Sequence, residues 1–176
     1  MKQFTSAGKA LSIIFAVLWM VGCGTTETTT ETDAEAERQA AEEARRAAEM
    51  QAEKDQEMAR MKALEDAVAA AGNVVYFDFD KSTLTPATRR VLDAHIALAK
   101  AKGSGNLRLE GHTDERGTRE YNMALGERRA KAVSGYMSAN GVPNYRMETV
   151  SYGEERPAMQ GSGEAAWSKN RRVEIK

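Results

Sequence analysis

Apolar and polar positions follow three different rhythms along this chain. Ala10 to Val21 is apolar except for Ser12. A bilayer-spanning helix needs roughly 20 apolar residues, so this run suits a signal peptide better than a membrane span. Gly24 to Thr32 reads GTTETTTET, a polar stretch expected to stay extended. From Ala34 to Ala71 the residues are mainly Ala, Glu, Arg, Lys, Gln and Met, with no Gly or Pro. These are strong helix formers, and the segment predicts a long solvated helical spacer. Its 38 residues would extend about 57 Å if fully helical. Met61, Leu64 and Val68 share a face, but no strict heptad runs back through Gln51 and Lys54. A weak coiled coil that dimerises the chain, or a disordered segment, are the other readings.

Beyond Gly72 the rhythm becomes that of a folded domain. Val75, Phe77 and Phe79 alternate with Val74, Tyr76 and Asp78, predicting a strand over 73–80. Ser82 or Thr85 can cap a helix whose first turn holds Pro86 and whose apolar face is Val91, Leu92, Ile96, Leu98 and Ala99. Gly103 and Gly105 end it. Leu107 and Leu109 mark a second strand, followed by a polar loop at 111–118. Thr118 to Ala139 predicts a second helix with Tyr121, Leu125, Ala132, Val133 and Tyr136 inward, closed by Asn140-Gly141. Met147 to Tyr152 and the stretch around Val173 and Ile175 complete the strands. The order βαβαββ predicts a two-layer α/β (α+β) domain with both helices on one face of a small mixed sheet.

Charge divides the chain at the same borders. Residues 1–22 carry +2, residues 23–71 carry −7, and residues 72–176 carry +4. The middle segment has no aromatic residue, so the foldable unit is 72–176. A charged fraction of 29% and a mean hydropathy of −0.57 exclude a multi-span membrane protein. The lone cysteine, Cys23, excludes an internal disulfide framework and a Cys-based zinc cluster. A net charge of −1, and no aromatics interleaved with Lys169, Arg171 and Arg172, give no support for nucleic-acid binding.

The candidate chemistry gathers around the loop at 111–118 and the helix after it. Asn122, Leu125 and Arg129 lie at i, i+3 and i+7 and line one helical stripe. Asp114 precedes the same helix. An acid and an arginine beside one pocket can grip a zwitterion, carboxylate to the guanidinium fork and ammonium to the acid. Alternatively, Asp114 and Arg129 pair with each other and staple the loop. His112 and Asp114 form an HxD pair. With only His95 as a second histidine, no metal site is expected, and His112 is read as ordering the loop by hydrogen bonding. Asp78 and Asp80 could act as a carboxylate dyad or simply end the first strand. No Gly-x-Ser-x-Gly setting or phosphate loop is present. No catalytic residue and no cofactor are expected.

Five segments carry a family likeness: VYFDFDK at 75–81, EGHTDERGTREYN at 110–122, LGERRAKAVSGYM at 125–137, VSYGEERP at 150–157 and KNRRVEI at 169–175. In this order they resemble the OmpA-like peptidoglycan-binding domain. Residues 1–22, whose apolar run ends Met20-Val21-Gly22 before Cys23, resemble a lipoprotein signal that would be cleaved after residue 22 and would leave Cys23 lipidated. Together they resemble the lipoprotein branch of the family, which works in the Tol-Pal system.

The resemblance implies that Asp114 and Arg129 hold the zwitterionic end of meso-diaminopimelate in peptidoglycan, with Asn122 and Leu125 lining the pocket. Phe79 and Asp80 would supply further contacts, and Arg171 and Arg172 would brace the sheet. It also implies anchorage in the outer membrane facing the periplasm, which Gly24 favours, TolB and TolA as partners, and no enzymatic activity. Alternatives are another cell-wall anchor of the same family, stator-like or secretion-associated, or an enzyme acting on the wall.

Overall fold

The computed structural model describes residues 29–176, with side chains from residue 34 onward. The apolar run at 10–21 and Cys23 lie outside the described residues. The first helix, α1 (Thr29–Ala71), begins before the expected Ala34, so the end of the threonine-rich stretch is helical rather than extended. Extending an existing helix costs far less than nucleating one, which lets weak formers such as threonine join its end. No helix among the described residues is long and apolar enough to cross a membrane.

The chain divides into two compact units, one ending at Ala48 and the other comprising Glu49–Lys176. In the first, every side chain from Ala34 to Ala48 is exposed. In the second, Met61, Leu64, Val68 and Ala71 are half-buried along one face of α1. Glu65 pairs with Lys102 at 2.9 Å, and the His95 ring meets the Gly72 carbonyl oxygen at 2.9 Å. The late apolar stripe of α1 therefore has neighbours within its own chain.

After Gly72, β1 (Val74–Tyr76) is shorter than the expected 73–80. The Phe77 amide still donates to the Arg171 carbonyl at 2.9 Å. The chain then turns, with Asp80 at φ 55°, a left-handed conformation that aspartate tolerates better than most residues. Helix α2 (Pro86–Lys102) starts at a Thr85 cap whose hydroxyl accepts from the Thr88 amide, and ends at Gly103 with φ 62°. Strand β2 (Leu107–His112) and helix α3 (Arg119–Ala139, capped by Thr118) follow. A 3-10 turn (Asn144–Arg146) leads into β3 (Met147–Gly153). A short helix that periodicity does not predict, α4 (Glu164–Asn170), precedes β4 (Arg172–Ile175).

The strands form one mixed sheet in the order β1-β4-β2-β3. β4 is antiparallel to both β1 and β2, while β2 and β3 are parallel, with α3 in the crossover between them. Val75, Leu109, Val173 and Ile175 project toward α2 and α3, where Leu92, Ile96, Ala99, Ala130, Val133 and Met137 complete the core. Burying each such aliphatic side chain contributes about 1.5–3 kcal/mol. The α+β fold with α2 and α3 on one face matches the expectation. Tyr121 does not point inward as expected; it is 43% exposed, and Ala130 and Met137 take inward places instead.

One contact sets the depth at which α3 sits on the sheet. Gly111 of β2 and Gly126 of α3 meet backbone to backbone. A Cβ on Gly111 would overlap the Gly126 carbonyl, and one on Gly126 would overlap the Ser151 hydroxyl. This approach brings the end of β2 and the first half of α3 to a common edge.

Candidate functional site

At that edge lies a pocket of about 190 Å³ lined by Phe79, Asp80, Asp114, Arg116, Gly117, Tyr121, Leu125 and Arg129. Five of the six expected ligand-contacting residues are therefore brought together. The sixth, Asn122, is buried beside the pocket but not in its lining; its amide donates to Glu154 at 2.5 Å, and Gly117 lies against it. It ties the first turn of α3 to the segment that follows β3.

Arg129 is 0% exposed. Its Nε, Nη1 and Nη2 donate to the carbonyls of Lys81 (2.9 Å), His112 (2.8 Å) and Asp78 (3.1 Å). A guanidinium has five N–H groups, so one on each terminal nitrogen is left over. Burial pulls the guanidinium down to about 10, and the Asp114 charge opposes that shift. Arg129 thus remains a cation at neutral pH, held in place by backbone and beside an open cavity.

Asp114 is 4% exposed. It does not bond to Arg129, so the stapling alternative is not what the structure contains. Its partners are Arg116, through Nε at 3.2 Å and Nη2 at 2.6 Å, and Arg171, through Nη1 at 3.5 Å. Burial pushes the carboxyl up, but the Arg116 hydrogen bonds outweigh it and hold the group below the usual carboxylate range. Arg116 in turn lies 3.8 Å from the Phe79 ring centroid and 4.0 Å from that of Trp167. Arg171 also donates to the Phe77 carbonyl at 3.0 Å and to Glu164 at 2.5 Å.

The rim is aromatic and acidic. Phe79 is 54% exposed, and the Tyr121 hydroxyl donates to Asp80. Sequence reasoning missed Arg116 and Trp167. Neither lies on a periodic element with the pocket residues, and the only signal was the arginine two positions after Asp114.

Behind the sheet, Glu110, His112 and Glu174 bring one ligand atom each within 4.8 Å of one another. All four carboxylate oxygens there already have cationic partners: Lys176 bridges both acids at 2.6 and 3.2 Å, with Arg108 on Glu110 and Arg172 on Glu174. A metal ion would have to displace a side-chain cation. His112 does not order the loop by hydrogen bonding as expected; both its ring nitrogens are buried without a partner, and the ring faces Tyr152 at 5.5 Å. Burial, then the Arg172 charge, lower it to about 4. Arg172, donating to Glu174 and to the Arg156 carbonyl, braces the sheet away from the pocket.

The OmpA family model matches residues 76–171, which contain every residue of this pocket. The chain belongs to the OmpA family. Among its OmpA-family relatives, the peptidoglycan-associated lipoprotein of Pseudomonas putida is 54% identical over 112 residues, 64% of this chain and 67% of the relative. That of Haemophilus influenzae is 55% identical over 101 residues, covering 57% and 66% respectively. The chain thus spans about two thirds of the length of these curated relatives. The crystal structure of the peptidoglycan-associated lipoprotein from Burkholderia pseudomallei superposes with a TM-score of 0.58 at 42% identity, covering 60% of this chain and 89% of that one.

Proposed function

We propose that this protein is a cell-envelope lipoprotein that binds peptidoglycan non-covalently and ties the outer membrane to the wall. The observation that carries the reading is the pairing of a buried cation, Arg129, with a buried anion, Asp114, in one open pocket. That is the charge pattern a zwitterion needs. The ligand is the free end of meso-diaminopimelate in the stem peptide. Its carboxylate meets the unspent N–H groups of Arg129, its ammonium meets Asp114, and its methylene stem lies along Leu125 and Phe79. The names and identities of the relatives support this ligand class. Binding and release involve no bond making, and no side chain here is assigned a catalytic task.

Lipidated Cys23 is the membrane anchor in this reading, and residues 34–71 are the spacer. TolB and TolA are the protein partners, and support of envelope constriction during division is the cellular role. The decisive experiment is sedimentation of the full chain with isolated peptidoglycan sacculi. Wild type should co-sediment without releasing soluble fragments, while Asp114→Ala and Arg129→Ala, assayed where circular dichroism shows them folded, should stay in solution. Undiminished co-sedimentation of both folded variants would refute the pocket assignment. Mass spectrometry of the mature N-terminus tests acylation of Cys23.

A further inference from the structure

The carboxylate proposed to receive the ligand ammonium has no vacant place for it. Asp114 Oδ1 accepts from the Arg116 amide at 3.2 Å and from Arg116 Nε at 3.2 Å. Asp114 Oδ2 accepts from Arg116 Nη2 at 2.6 Å and Arg171 Nη1 at 3.5 Å. A carboxylate offers about four lone-pair sites, and all four are taken. For an ammonium to enter, one donor must leave.

The two arginines are not equally free to go. Arg171 is 8% exposed and is tied to the Phe77 carbonyl and Glu164. Arg116 is 30% exposed and has no side-chain hydrogen-bond partner among the described residues other than Asp114. Beyond that it is held by the stack between Phe79 and Trp167 and by the nearby charges of Glu164 and Glu115, and Phe79 itself lines the pocket.

We propose that Arg116 is an internal stand-in for the ligand ammonium, occupying Asp114 while the pocket is empty and swinging off when peptidoglycan binds. This rests on the pocket reading above and adds a regulatory contact to it. A fork on a buried carboxylate, sandwiched by two rings, keeps Asp114 ionised and shaped without leaving an uncompensated buried charge. The same fork competes with the ligand, because only the opened fraction of molecules can bind. Exchange of one cation for another also favours ligands bearing a free ammonium.

The test uses the full chain with Trp19→Phe, so that Trp167 is the single tryptophan, and a soluble muropeptide carrying meso-diaminopimelate. Binding should change Trp167 emission as Arg116 leaves its face. The same muropeptide acetylated on the free diaminopimelate amine should bind weakly and leave the emission unchanged. Arg116→Gln should tighten binding on the order of tenfold and abolish the emission change. Arg116→Lys keeps the charge without the fork and should fall between. If Arg116→Gln binds equally or more weakly while Arg129→Ala still abolishes binding, the stand-in role fails and the pocket reading survives. If Arg129→Ala binds as wild type does, the pocket reading fails and the stand-in falls with it.

Discussion

Two buried arginines in this molecule do the same local chemistry in different surroundings. Arg129 donates to the carbonyls of Lys81, His112 and Asp78. Arg146, also buried, donates to the carbonyls of Ala99 (2.8 Å), Ser104 (2.5 Å) and Gly105 (2.8 Å). Arg146 closes the end of α2, donating to one helix carbonyl and to two just past the helix, where a cation is favoured by the helix dipole. Arg129 ties together a turn and a strand end, and it faces a cavity with a carboxylate on the other wall. Bracing by itself therefore says nothing about function. What separates the two sites is the open volume and the opposing charge at Arg129, both missing from the described contacts of Arg146.

The largest effect should come from Arg146→Ala. It leaves the Ser104 and Gly105 carbonyls without their partner, while that of Ala99 keeps the Gly103 amide, and should cost about 3 kcal/mol of stability, at 1–3 kcal/mol per group. Urea denaturation should show the loss, while folded Arg146→Ala should keep wild-type affinity for sacculi. Lost affinity in the folded fraction would erase the distinction between the two sites.

Acid should separate the regions next. His112, whose carbonyl supports Arg129, has its imidazole lowered from 6.5 to about 4 in the folded chain. Between those values the unfolded chain binds the extra proton, so stability falls as pH drops from 6.5 toward 4. The loss should be on the order of 2 kcal/mol and should flatten in His112→Gln. Glu110, Glu174, Arg172 and Lys176 face the ring and set the steepness. Hydrogen exchange should report opening near β2 before opening at the end of α2. Simultaneous opening would mean that the two regions do not differ in acid sensitivity.

A paired substitution sharpens the contrast at smaller scale. Arg129→Lys and Arg146→Lys each keep a charge and lose the planar fork. Both should lower the melting temperature, but only Arg129→Lys should weaken muropeptide binding, by roughly tenfold in calorimetry, the loss of one charge-assisted hydrogen bond. The smallest effect belongs to the rim. Tyr121→Phe removes the hydroxyl that holds Asp80 and should weaken binding about two- to threefold, with no change at the Arg146 region.

Much of this arrangement was legible in the chain. Thr85, Pro86 and Gly103 bracket α2 through cap chemistry that depends only on local sequence. Leu125 and Arg129 share the pocket because a helix places i and i+4 on one face. Asp114 stands out as an acid in the short loop just before that helix. What escaped was tertiary. β1 stops early because the turn at Asp80 is shaped by contacts with Arg129 and Tyr121, distant in sequence. Tyr121 fits the helical stripe yet stays out of the core, because its hydroxyl is taken by Asp80 across the pocket rim. The α4 segment holds one large apolar residue, Trp167, too few for a period to show. The Arg116 stack joins loop, turn and helix residues that no spacing rule connects.

The backbone-to-backbone contact between Gly111 and Gly126 limits how this family member can drift. At position 126 the worst obstacle is a hydroxyl side chain, which a compensating replacement of Ser151 could withdraw, leaving a tight approach of 3.0 Å to the Gly111 carbonyl oxygen. At position 111 the obstacle is main chain, and no neighbouring mutation can remove it. Lineages therefore have one narrow door for acquiring a methyl group at this junction and one that stays shut.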